Sequence, residues 1–114
     1  MPPMRVDVKG RRLDVSDALR AYTQRRLNFA IGSFEPRIIR TQVCLADVNG
    51  PKGGVDKWCA IAVCLVQIGW VFATAESASA YSAVDRAASR IRTVVARQIR
   101  TRLKSRSRAH RSSV

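Results

Sequence analysis

The chain has 114 residues, with 21 Lys and Arg against 8 Asp and Glu, and a formal net charge of +13. That length holds one domain, and a 46% hydrophobic content supplies a core, which excludes wholesale disorder. No run approaches the roughly 18 apolar residues that span a bilayer, and the opening Met1-Pro2-Pro3-Met4-Arg5-Val6 lacks a secretory apolar stretch, so a cytoplasmic protein is the expectation.

Met4, Val6 and Val8 alternate with Arg5, Asp7 and Lys9, predicting a short half-buried strand that Gly10 ends. Ser16 is placed to cap a helix, with Asp17 in its first turn. Leu19, Tyr22, Thr23, Leu27, Ala30 and Ile31 then recur at helical spacing up to Gly32, while Arg20, Gln24, Arg25 and Asn28 fall mostly on the other arc. Pro36 closes the linker.

Residues 38–48 read as a strand, with Ile39, Thr41, Val43 and Leu45 on one face and Arg40, Gln42, Cys44 and Ala46 on the other. Asn49 to Gly54 is turn chemistry and predicts a Gly-rich loop, 49–57 with its flanks. Trp58 to Val66 is a second long strand, Gln67-Ile68-Gly69 a tight connection, and Trp70 to Ala75 the last strand. Ser77 or Ser79 opens a long helix in which Val84, Ala87, Ala88, Ile91, Val94, Val95, Gln98 and Ile99 hold a 3.6-residue period. Opposite them Arg86, Arg90, Arg97, Arg100 and Lys104 stack on one stripe. Residues 105–114 carry almost no apolar side chain and are expected to form a disordered basic tail after a domain spanning 1–104.

The charge along this chain is uneven. Residues 1–85 hold eleven basic and all eight acidic residues, a net of +3, whereas residues 86–114 hold ten basic residues and no acid. A one-sign field of that density attracts polyanions. Seventeen of the basic residues are arginine, whose planar fork suits bidentate contacts with phosphate. Ordinary solvated helix faces mix both signs, and this one has no acid after Asp85. The apolar face of the last helix is largely Ala and Val without Trp or Phe, so a protein core is its destination and no membrane partner is expected.

The order is βαβββα, an α+β fold in which two amphipathic helices cover one face of a four-stranded sheet, as in double-stranded-RNA-binding domains. The helix backs then lie side by side, and Arg20, Arg25, Arg86, Arg90 and Arg97 form one basic surface.

Two segments carry a family resemblance. Val8-Lys9-Gly10-Arg11-Arg12-Leu13-Asp14-Val15-Ser16-Asp17-Ala18-Leu19-Arg20-Ala21-Tyr22 resembles the opening of the ribosome hibernation-promoting factors, and so does Ser79-Ala80-Tyr81-Ser82-Ala83-Val84-Asp85. Together they extend the resemblance over about residues 4–104. It implies the same βαβββα fold and a protein that binds the small ribosomal subunit in the messenger-RNA channel, blocks the messenger and transfer-RNA sites, and silences idle ribosomes under stress. It also implies contact with ribosomal RNA through Arg20, Arg25 and Arg26 of the first helix and Arg86, Arg90, Arg97, Arg100 and Lys104 of the second. Ser79 stands where the family usually has an acid, and the Gly-rich loop is unusual. Long members carry a further ribosome-pairing domain, so a short form is expected.

Other signals are weaker. The Gly50–Gly54 run lacks the Gly-Lys-Ser/Thr ending of a phosphate loop and leads into a strand, which leaves Lys52 and Lys57 as candidate loop contacts to phosphate. Of Trp58, Trp70 and Phe72, aromatics that could stack bases, Trp58 and Trp70 are read as packing residues at strand ends, while Trp70 and Phe72 can also add to an apolar patch on the uncovered sheet face. Cys44, Cys59 and Cys64 are odd in number and lie in apolar runs, so reduced buried thiols are expected, with no disulfide framework and no zinc site. The one histidine, His110, lies in the tail, and the acids do not pair, so neither catalysis nor a cofactor is expected. Strand 58–66 is apolar on both faces, which makes the uncovered sheet face a candidate for self-association or partner binding. The alternative to a ribosome factor is a generic double-stranded-RNA or nucleoid DNA-binding module.

Overall fold

The computed structural model describes residues 4–48 and 54–112, with side chains described through Ser105. Four strands form one sheet in the order β1-β2-β3-β4: β1 (Asp7–Arg11), β2 (Ile38–Asp47), β3 (Lys57–Leu65) and β4 (Gly69–Ser77). Helix α1 (Asp17–Ile31) crosses between the parallel pair β1 and β2, and α2 (Ala80–Ser112) follows the antiparallel meander β2-β3-β4. A short 3-10 segment, Gly32–Arg37, with Pro36 inside it, turns the chain from α1 into β2. The order βαβββα is the one the sequence predicts.

Residues of one parity on the strands meet the apolar arcs of both helices. Val43 and Leu45 of β2, Cys59, Ile61, Val63 and Leu65 of β3, and Val71, Ala73 and Ala75 of β4 are buried. Against them lie Leu19, Leu27, Ala30 and Ile31 of α1 and Ala83, Val84, Ala87, Ala88, Ile91, Val95 and Ile99 of α2. The alanines of α2 let its backbone approach the sheet closely, and β-branched residues fill the pleats. Ser16 caps α1 by accepting from the Leu19 amide at 3.1 Å, and the Ser79 carbonyl accepts the Ala83 amide at 3.0 Å where α2 begins.

Several local details differ from the sequence reading. Gly10 lies within β1 rather than ending it. The next turn folds back so tightly that a Cβ at Gly10 would stand 2.1 Å from the Leu13 carbonyl oxygen. Ile39 is 66% exposed although the alternation assigns it to the core face, because the β2–β3 register shifts between Ile38 and Arg40; a bulge resets the two-residue period beyond it. Gln24 and Asn28 do not face solvent idly. Asn28 Oδ1 accepts the Met4 amide at 2.8 Å, Gln24 Oε1 accepts the Val6 amide at 3.1 Å, and both amide side chains donate to the Met4 carbonyl. The backbone of α2 continues past Lys104, where the sequence reading begins the disordered tail, to Ser112, since a helix already nucleated adds residues at little cost. Ser113 and Val114 lie outside the described residues.

Candidate nucleic-acid interface

The two helices pack side by side, and their seam is closed from the inside by residues of the two recognised segments. The Tyr22 hydroxyl donates to Asp85 Oδ1, and the Tyr22 and Tyr81 rings meet edge to face with centroids 5.0 Å apart. The hydrogen bond to Asp85 raises the Tyr22 pKa, with burial and the carboxylate charge adding to it. Arg26 closes the cluster, its Nε 3.3 Å from Asp85 Oδ1 and its Nη2 donating to Ser89 Oγ at 3.1 Å.

On the outer side of this seam the helices border a groove lined by Arg26, Phe29, Ala30, Ser89, Arg92, Thr93, Ala96, Arg97 and Arg100. The guanidinium of Arg26 sits over the Phe29 ring, 5.9 Å from its centroid. Arg92, Arg97 and Arg100 are exposed, and the sequence offers α2 no acid beyond Asp85 to neutralise them. The groove therefore concentrates positive charge beside one aromatic ring. A field of one sign attracts anions, and guanidinium groups suit phosphate among them.

The arginines named from the sequence do not form one basic surface across the two helices. Arg97 and Arg100 reach the groove. Arg26 also lines it, but its charge is already engaged by Asp85. Arg86 and Arg90 point the other way, to the outer edge of β4, donating to the carbonyls of Glu76 at 3.2 Å and Thr74 at 2.6 Å. Arg20 does the same at the opposite edge, donating to the Val8 carbonyl of β1 at 2.8 Å. Arg25 and Lys104 are exposed on their helices.

Arg92 and Phe29 were missed. Arg92 falls off the stripe drawn through Arg86 and Arg90, toward α1. Phe29 is a bulky aromatic out of phase with the apolar arc of α1, and that mismatch was the available signal.

The loop contacts also change. Lys57 belongs to β3 rather than to the loop, and its ammonium lies 3.0 Å from Asp56 and 3.2 Å from Asp47. The Asp56 bond is the chief reason its pKa is raised. Lys52 lies outside the described residues, as does the side chain of His110.

Among the described residues no helix covers the other sheet face. Trp70 and Phe72 are 44% and 65% exposed there, beside half-buried Trp58, Ala60 and Ala62, so both add to the open apolar face and Trp70 is not the packing residue its place at a strand end suggests. All three cysteines are free. Cys59 alone is fully buried; Cys44 and Cys64 alternate to the open face and are partly exposed, which corrects the expectation of three buried thiols. Among the described residues no cluster of His, Cys, Asp and Glu is arranged to hold a metal, and no helix is long and apolar enough to cross a membrane.

An α+β sandwich of βαβββα order with a cationic helical layer is thus the class to which the molecule belongs. Residues 6–104 match the family described as sigma 54 modulation protein / S30EA ribosomal protein, and the chain belongs to that family. The crystal structure of the Thermus thermophilus Protein Y N-terminal domain is similar, with 29% identity and a TM-score of 0.65 over 84% of this chain and 98% of that one. A ribosomal subunit interface protein from Coxiella burnetii shares the fold at 24% identity, with a TM-score of 0.70 over 82% of this chain and 96% of that one. No curated protein sequence matches the chain significantly.

Proposed function

We propose that this protein is a hibernation factor that docks on the small ribosomal subunit, in the channel for messenger and transfer RNA, and holds ribosomal RNA through its helical layer. Membership of a ribosomal protein family supplies the partner. The observation that carries the contact is the groove holding Arg92, Arg97 and Arg100 against a helix that has no acid after Asp85. Docking is electrostatic: each arginine of the helical layer that neutralises a phosphate releases counterions. Arg25, Lys104 and the edge arginines Arg20, Arg86 and Arg90 extend the positive field around the groove. The work is binding and occlusion, carried out in the cytoplasm.

Sedimentation of ribosomes through a sucrose gradient tests this. Wild-type protein is expected in the small-subunit and whole-ribosome fractions, and Arg97→Glu with Arg100→Glu is expected to leave them while remaining folded. With about five phosphate contacts, log affinity should fall with log salt at a slope of about 4. Protein spread among free RNA, or a folded charge-reversed variant that still sediments with ribosomes, would refute the reading.

A further inference from the structure

We infer that the groove between α1 and α2 is built for an unpaired RNA segment, with one base stacked on Phe29 and its neighbouring phosphates on Arg92, Arg97 and Arg100. This rests on the RNA-binding reading above and adds the form of RNA the groove takes.

Phe29 is the starting point. At 82% it is the most exposed large hydrophobic residue among those described. The core does not need it, because Leu27, Ala30 and Ile31 take the buried positions around it on α1. A phenyl ring left in water gains free energy when a flat apolar surface covers it. It is also prepared for such a partner. Arg26, held by Asp85 and Ser89, stands over the ring at 5.9 Å, so its chief neighbour is fixed in advance and little ordering is required on binding.

The rest of the groove selects the kind of partner. Arg92, Arg97 and Arg100 spread over about 12 Å of helix axis along one wall. An apolar protein segment on Phe29 would have to desolvate these charges without neutralising them. A nucleotide chain answers both needs, since every base has a stackable face and every linkage a phosphate. A continuous duplex does not, because its base faces are stacked on one another; only an unpaired base offers a free one. Ser89 and Thr93 line the same groove with hydroxyls able to meet base edges or ribose.

The test is a titration of the whole chain with a short single-stranded RNA carrying a fluorescent adenine analogue whose emission falls on stacking, run beside the same sequence as a duplex. Wild-type protein is expected to bind the single strand and quench it. Phe29→Ala, at an exposed position, should keep the fold by circular dichroism, abolish the quench and weaken single-strand binding about tenfold. Its duplex affinity should stay unchanged, and Phe29→Tyr should restore both signals. No binding, unquenched binding by wild type, or a Phe29→Ala variant that binds the single strand as wild type does would overturn the inference. If wild-type protein sediments with ribosomes while Phe29→Ala titrates normally, the stacked base is refuted and the ribosomal reading stands. If it quenches the oligonucleotide yet never sediments with ribosomes, the reverse holds.

Discussion

The Tyr22 hydroxyl stands 2.5 Å from Asp85 Oδ1 and ties the first helix to the second. The same carboxylate oxygen holds Arg26, so one acid serves both the seam and the groove. Tyr22→Phe should cost about 1 kcal/mol, the value of a partly exposed hydrogen bond to a charged group. Asp85→Asn should cost somewhat more, because Arg26 loses its ion pair as well. A double-mutant cycle by urea denaturation should show the two changes coupled by about 1 kcal/mol; additive effects would mean the contact does not stabilise the fold.

Gly10→Ala should destabilise the fold by about 3 kcal/mol, at the upper end of single substitutions. The added Cβ meets backbone, the Leu13 carbonyl oxygen, and Val15 Cγ2 at 2.9 Å, so no side-chain rotation relieves it. Urea denaturation checks this, and an unchanged midpoint would show that the turn yields easily.

Stability should fall on the alkaline side. Burial, with a smaller push from Cys44, raises the Cys59 thiol from 9.0 to about 12. A group whose pKa is raised by folding stabilises the folded state below its unfolded pKa and loses that contribution as pH climbs through the folded value. The loss therefore runs from about pH 9 to about pH 12. Tyr22 and Lys57 are raised as well and act in the same sense above their ordinary values of 10.0 and 10.5. The urea midpoint of the wild type should decline over this range, and that of Cys59→Ala should decline less steeply. A thiol reagent on the native protein should label Cys44 and Cys64 before Cys59.

Arginines cover both edges of the sheet, Arg20 at β1 and Arg86 with Arg90 at β4. Exposed edge carbonyls recruit strands from other molecules, and charged side chains are a common guard. Arg86→Ala with Arg90→Ala should leave the fold within about 1 kcal/mol of wild type yet increase self-association with concentration, measured by light scattering. A variant that stays as monomeric as wild type would assign these arginines to the partner alone.

The elements were legible because their periods are clean. Ala87, Ala88, Ile91, Val95 and Ile99 leave only a helix for that stretch, and Trp58 to Val66 is a short apolar run bounded by turn residues, whose alternation of buried and half-buried positions through Leu65 is set by the helices on one face. Ile39 escaped because a bulge shifts phase without changing residue types. The interface was half legible. Net charge and the run without acids located the basic helix, but a helical wheel shows only which residues share a side. It cannot tell that the side of Arg86 and Arg90 abuts a sheet edge, or that the side of Arg92 abuts another helix. Those facts depend on where α2 lands across β3 and β4, which is a property of the assembled layers.

The parallel pairing of β1 with β2 sets that strand apart from the rest. The meander joins its strands through shorter connections, whereas β1 meets β2 only across the α1 crossover, a longer loop to close. It is held to the sheet on one side only, by its ladder with β2, while Arg20 bonds its Val8 carbonyl and Gln24 and Asn28 hold Met4 and Val6 just before it. As a strand paired on one side and closed by the longest connection in the sheet, β1 is expected to form late in folding and to open first under load.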